Sequence, residues 1–257
     1  MKLLFECSFL SENNEEFDKI VAEMRLKESK DSPQIIGDDR NHHIKIYENM
    51  YSREVDVGSD GVKITEMKDY IGTNYDVEFS NPQPILMEIR KRIGWGFFRE
   101  QSYPPWMDEA ISTSSRPRYL QLMPYLLIIV GRDIRINDSE FDKQFSVKGN
   151  KENVVRAILD PSIRGKIMMI RDFNVIIGLL KRKDSSESGS NSNHVPKSLP
   201  SWVWKMIQPH VVFVPDVAQH VDYGSLSKIK QEPERFRAII DTMIDIVEKI
   251  EKYTPPV

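Results

Sequence analysis

Three aspartates, Asp133, Asp138 and Asp142, lie in one turn-rich stretch and come closest in type and spacing to a chemical site. Converging carboxylates can work as general acid and base or as ligands for a cation. A calcium loop of the EF-hand kind needs its glycine and terminal glutamate at set spacing, and neither is in place. A second constellation is His210 and His220 with Asp216 and Asp222, whose spacing matches no zinc pattern. His42 and His43 are adjacent and would point to opposite faces of a strand, and His194 stands alone. No serine occupies a Gly-x-Ser-x-Gly elbow, and neither a Walker loop nor a dinucleotide fingerprint occurs. The expectation is therefore no cofactor and no resident metal.

Aromatic residues form the other candidate. Trp95, Phe97, Phe98, Tyr103 and Trp106 cluster in a Gly/Pro-rich excursion over residues 93–118. Aromatic side chains on such a loop are costly to leave in water, so they pack onto their own domain or meet a partner.

Composition narrows the classes that these residues can serve. The chain has 257 residues, 40% hydrophobic and 29% charged, which is an ordinary globular balance and long enough for a sizeable core. Its net charge of −3, from 36 basic and 39 acidic residues, is too balanced to imply nucleic acid or an anionic membrane as partner, and neither is expected. The small basic clusters Lys91-Arg92 and Lys181-Arg182-Lys183 read as solvated strand ends. A single cysteine, Cys7, excludes an intramolecular disulfide framework and suits a reducing cytosol. The apolar start Leu3-Leu4-Phe5 stops at Glu6, short of the roughly 7–15 residues of a signal-peptide core. The apolar run Leu120–Val130, interrupted by Gln121 and Pro124, is too short to span a bilayer. A soluble cytoplasmic protein is expected.

The elements that must position any site follow from periodicity. Phe17, Ile20, Val21 and Met24 repeat with helical spacing and predict a helix over 13–28, with Asn13 as cap. Between 33 and 92 the period falls to two, through Ile44 and Ile46, Val55 and Val57, Val62 and Ile64, Val77 and Phe79, then Ile85, Met87 and Ile89. Turns are expected at Glu48-Asn49, Gly58–Gly61, Gly72-Thr73-Asn74 and Asn81–Pro84. Residues 119–130 read as a further strand region. Asn137–Ser139 predicts a turn, 141–144 a helical turn and 145–147 a strand. Two short helices follow, separated by Leu159-Asp160-Pro161, where Asp suits an N-cap and Pro the first helical position. Residues 174–183 read as a buried strand. The Ser/Asn/Gly-rich stretch 184–200 reads as a mobile loop. After Trp202 and Trp204 come a possible strand at 210–214 and a last helix from Pro233 to Tyr253, with Phe236, Ile239, Ile240, Met243, Val247 and Ile250 on one stripe.

One block resembles a known pattern. Gly131-x-Asp133-Ile134, then Asp138-x-x-Phe141-Asp142-x-x-Phe145-x-Val147-x-Gly149, then Val155-Arg156-Ala157-Ile158-Leu159-Asp160-Pro161-x-x-Arg164 is similar to a recurrent bacterial and archaeal domain family whose function is uncharacterised. The resemblance extends upstream to Gly37–Ile44 and Val77–Ile89, and to the closing helix. The excursion 93–118 and the loop 184–200 are longer than in that family, and Asn137 stands where it often has glycine. The resemblance implies a prokaryotic origin and a fold, and no activity. Read from the residues alone, Asp142 locks a turn anchored by Phe141 and Phe145, and Arg156 and Arg164 pair with Asp142 or Asp160.

The expected architecture is α+β: a mostly antiparallel sheet of six to ten strands, with a helix pair and a C-terminal helix packed on it. One domain is expected over 1–257. Three functions are open. The leading one is a non-enzymatic cytoplasmic protein that binds a macromolecular partner or small ligand through Trp95, Phe97, Phe98, Tyr103 and Trp106. The others are a metal-dependent or acid/base enzyme using Asp133, Asp138 and Asp142, and a homo-oligomeric structural protein pairing through a sheet edge or the last helix.

Overall fold

Backbone hydrogen bonding gathers nine strands into one antiparallel sheet in this computed structural model, which describes residues 15–29, 32–56, 65–82, 85–92, 132–182 and 211–253. The strands are β1 (Leu26–Glu28), β2 (Gln34–Asp39), β3 (His42–Asp56), β4 (Thr65–Glu78), β5 (Met87–Lys91), β6 (Arg132–Asp133), β7 (Phe145–Gly149), β8 (Val175–Arg182) and β9 (Val211–Tyr223). Their spatial order is β1-β2-β3-β4-β9-β8-β5-β7-β6. Six helices accompany them among the described residues: α1 (Glu15–Glu23), α2 (Ser139–Gln144), α3 (Glu152–Ile158), α4 (Pro161–Met169), α5 (Leu226–Ile229) and α6 (Pro233–Lys252). The α+β architecture with a closing helix on an antiparallel sheet is as expected. The excursion 93–118, the strand region 119–130, the loop 184–200, the turn 58–61, Cys7, His194 and His210 lie outside the described residues.

The last helix owes its place to its stripe. Phe236, Ile239, Ile240, Met243, Val247 and Ile250 are all buried, joined by Ile244 and Ile246. They meet Tyr75 of β4, whose ring lies 6.0 Å from that of Phe236, and Phe17 of α1 at 4.9 Å. Ion pairs then fix α6 against α4, from Lys166 to Asp245 and from Lys249 to Asp160. Asp160 is the N-cap of α4, accepting from Ile163 N at 3.0 Å with Pro161 beginning the helix. That junction matches its sequence signature.

Three local expectations are corrected. The first helix ends at Glu23 rather than 28, because Arg25 turns the chain with φ 55° and residues 26–28 join the sheet as β1. Gly37 permits this. It pairs with Leu26, and a Cβ there would overlap the Arg25 carbonyl and lie 2.8 Å from Leu26 Cα. Glu48-Asn49 and Gly72-Thr73-Asn74 are not turns. They face each other within the long β3–β4 ladder, where Glu48 pairs with Thr73 and Asn49 with Gly72. Their polar groups have distant partners instead: the Glu48 carboxylate accepts from Leu226 N, and the Thr73 hydroxyl donates to Gly224 O at 2.8 Å. Strand β9 also runs nine residues past its expected end at 214.

Candidate functional site

Two of the three carboxylates singled out in the sequence, Asp138 and Asp142, are held by structural contacts. Asp142 accepts from Ile136 N at 2.9 Å and from Asn137 N at 3.1 Å, one amide on each oxygen. It thereby stabilises the turn in which Asn137 takes a left-handed φ of 63°. Asp138 caps α2, accepting from Phe141 N at 3.2 Å, and its second oxygen accepts from Arg164 Nε at 2.9 Å. The Phe141 amide and, after it, the Arg164 guanidinium hold the Asp138 carboxyl below the usual range. Asp133 lies in β6, in register with Lys148. The expected arginine pairings are thus redistributed, since Arg164 meets Asp138 and Arg156 meets Glu152 at 2.7 Å within its own helix. The stacked rings of Phe141 and Phe145, 4.9 Å apart and buried, anchor the turn as anticipated. Among the described residues no group of three His, Cys, Asp or Glu side chains is arranged to hold a metal ion. Trp95, Phe97, Phe98, Tyr103 and Trp106 lie outside the described residues.

A different polar cluster is assembled where β4, β8 and β9 meet the start of α6. Tyr75 and His220 are register partners on β4 and β9, and Thr73 faces Asp222 two positions along. Alternation therefore places Tyr75, Thr73, His220 and Asp222 on the face covered by α6. All four are buried. The Asp222 carboxylate accepts from Arg235, in the first turn of α6, which also donates to Arg171 O at 3.1 Å and lies 3.5 Å from Glu232. Arg171 and Asp172 belong to the bend that leads into β8. Lys228 belongs to α5, capped by Ser225.

The electrostatics follow from burial. His220 has no exposed surface, and desolvation pulls its pKa down to about 4 against the opposing pull of the Asp222 carboxylate. Its imidazole is neutral at pH 7. Nδ1 lies 2.5 Å from Asn174 O and 3.3 Å from Asn174 N; the shorter contact favours Nδ1–H as the donor, which leaves Nε2 as an acceptor. Phe173 stacks on the ring at 5.4 Å. Burial, then the Asp222 charge, raises the Tyr75 hydroxyl well above its ordinary value. Burial opposes the charge of Arg235, but its bond to Asp222 more than offsets this, so its pKa stands above normal.

Three buried polar atoms in this cluster make no hydrogen bond among the described residues: Tyr75 Oη, His220 Nε2 and Arg235 Nε. Such groups cost about 1–3 kcal/mol each when unpartnered, and each calls for an explanation. A cleft of about 90 Å³ is lined by Arg235 and Asp222 of this cluster, while the buried Tyr75 and His220 are outside its lining. Arg171, Lys228 and Arg235 face Asp172, Asp222 and Glu232 around it, so the cleft is charged but balanced.

The sequence reading reached part of this cluster. The spacing of His220 and Asp222 matches no zinc pattern, and here one is a neutral buried imidazole and the other an ion-pair acceptor. Asp216 accepts from Asn81 N at 3.0 Å, away from them. Tyr75 and Arg235 were missed, because only the β4–β9 pairing and the docking of α6 bring them in. No family model, curated protein or solved structure matches the chain. Among the described residues no helix is long and apolar enough to cross a membrane.

Proposed function

We propose that this chain is a non-enzymatic cytoplasmic binding protein whose site is the cleft between α5, the start of α6 and the bend before β8, and whose ligand is a small zwitterion. The observation that carries the reading is the set of unpartnered atoms beside the Asp222–Arg235 pair. Two of them, the Tyr75 hydroxyl and Arg235 Nε–H, donate, and His220 Nε2 accepts. A ligand bearing a carboxylate and an ammonium group satisfies both kinds once it passes the lining at Arg235 and Asp222, since Tyr75 and His220 are buried and outside that lining. The balanced ring of three cations and three acids suits a molecule with no net charge better than an anion or a cation. Similarity to the bacterial and archaeal family belongs to the same proposal and adds no activity to it.

The test is calorimetric titration with a panel of free amino acids, repeated on Tyr75→Phe. That variant keeps the ring packing and removes only the hydroxyl. The parent is expected to bind at least one member, and Tyr75→Phe to bind it about tenfold more weakly while melting within a few degrees of the parent. No binding across the panel, or equal binding by both proteins, overturns the reading.

A further inference from the structure

The β3–β4 hairpin outruns the sheet that carries it. Strand β2 leaves β3 at Tyr47, and β9 leaves β4 at Gly72. The ladder nevertheless continues for seven more pairs, from Met50 opposite Ile71 to Asp56 opposite Thr65. This two-stranded arm is about 20 Å long, and among the described residues no third strand pairs with it. A ribbon of two strands is marginal in water by itself. At its root Met50 and Ile71 face each other with 72% and 46% of their surfaces exposed.

The ladder also shows which backbone groups are open. Gly224 N donates to Ile71 O, so odd-numbered residues of β4 turn their N–H and C=O toward β9. Glu48 N donates to Pro33 O, so even-numbered residues of β3 face β2 and odd-numbered ones face β4. Both observations agree. Along the arm, Thr65, Met67 and Asp69 therefore direct their backbone groups to the edge that β9 has left, as Met50, Ser52, Glu54 and Asp56 do on the other side.

We propose that the β4 edge of the arm pairs antiparallel with the same edge of a second copy of this chain, giving a four-stranded β3-β4-β4-β3 sheet across a two-fold axis. Antiparallel pairing requires opposed residues to share the same outward or inward parity, which leaves few registers. Pairing about Lys68 sets lysine against lysine, and pairing about Asp69 or Glu66 sets acid against acid, all unfavourable. Pairing about Tyr70 runs the partner into positions already held by β9. Pairing about Met67 sets methionine opposite methionine and Glu66 opposite Lys68 of the partner, twice by symmetry. This register makes about six backbone hydrogen bonds. The β3 edge offers no such charge match, since its registers oppose Arg53 to Arg53, Glu54 to Glu54, Met50 to Glu54 or Glu54 to Asp56, and the register about Tyr51 sets Met50 against Ser52 and Glu48 against Glu54. Charge complementarity thus selects both the edge and the occupant.

Sedimentation equilibrium on the full chain tests this with charge swaps. The parent is expected to populate a dimer. Lys68→Glu places glutamate opposite Glu66 twice and is expected to weaken the dimer about tenfold or more. The double variant Glu66→Lys/Lys68→Glu restores the opposition with signs reversed and is expected to recover parental association. Circular dichroism on each variant confirms that the fold is kept. A parent that is monomeric at every concentration overturns the proposal. So does a dimer that ignores Lys68→Glu, or one that the double variant fails to restore.

Discussion

Tyr75 and His220 stand opposite each other on adjacent central strands, ring centroids 5.3 Å apart, both fully buried, with neither the hydroxyl nor Nε2 hydrogen-bonded among the described residues. Two aromatic residues with polar tips fill the volume that two apolar rings would fill in an ordinary core. The sheet gains their packing and carries their unsatisfied polarity. That relationship makes the centre of the molecule sensitive to protons.

The first prediction concerns pH. His220 has its pKa lowered from 6.5 to about 4 in the folded chain, so the unfolded chain binds the proton first as pH falls. Stability from this group is fully present above about pH 6.5, declines as pH falls toward about 4, and is lost below that. The integrated loss is about 3 kcal/mol. Urea denaturation between pH 7 and pH 4 is expected to show it in the parent, and His220→Phe is expected to flatten that part of the profile. An unchanged slope in the variant would assign the acid sensitivity elsewhere.

The turn at Asn137–Phe145 is predicted to be a stability element. Phe145→Ala removes a buried ring stacked on Phe141 and should cost about 3–5 kcal/mol. Asp142→Ala leaves the amides of Ile136 and Asn137 without their acceptor and should cost about 1–3 kcal/mol. Thermal melts of both variants check this. Parental melting in Asp142→Ala would return that carboxylate to the list of functional candidates.

Gly37→Ala tests the pairing of β1 with β2. The added methyl meets the backbone of Arg25 and Leu26, which cannot move aside without displacing β1. A loss of about 1–3 kcal/mol is expected. If β1 instead detaches freely, the melt stays parental and hydrogen exchange rises only in residues 24–28.

Removal of α6 by truncation near residue 230 is predicted to leave a molten product. The helix it withdraws covers Phe17 and Tyr75 and supplies eight buried apolar residues to the core. Near-ultraviolet circular dichroism should collapse while far-ultraviolet signal partly remains. A folded, soluble product would show that the stripe is not required by its own chain.

Segments governed by near neighbours were legible without coordinates. The α6 stripe, the Asp160-Pro161 start of α4 and the Phe141–Phe145 turn all depend on residues three to five positions apart, so their spacing carries the instruction. The unfavourable surprises arose where local preference met a distant partner. Thr73 and Asn74 have turn chemistry, yet they run straight because β3 and β9 flank them on either side and Gly224 O takes the Thr73 hydroxyl. The strand expected to end at 214 continues to 223 as a central strand, where Asp222 finds Arg235 and Gln219 finds Asp76 at 2.7 Å.

By itself, then, the sequence determined the α+β class, the helices with strong apolar stripes, and the caps and turns whose hydrogen bonds close within a few residues. Only the tertiary structure decided the strand order, the length of β3, β4 and β9, and the meeting of Tyr75, His220, Asp222 and Arg235. The physical reason is that strand pairing is a contest among backbone groups that are chemically alike. Its outcome depends on which side chains become buried together, and no local spacing records that.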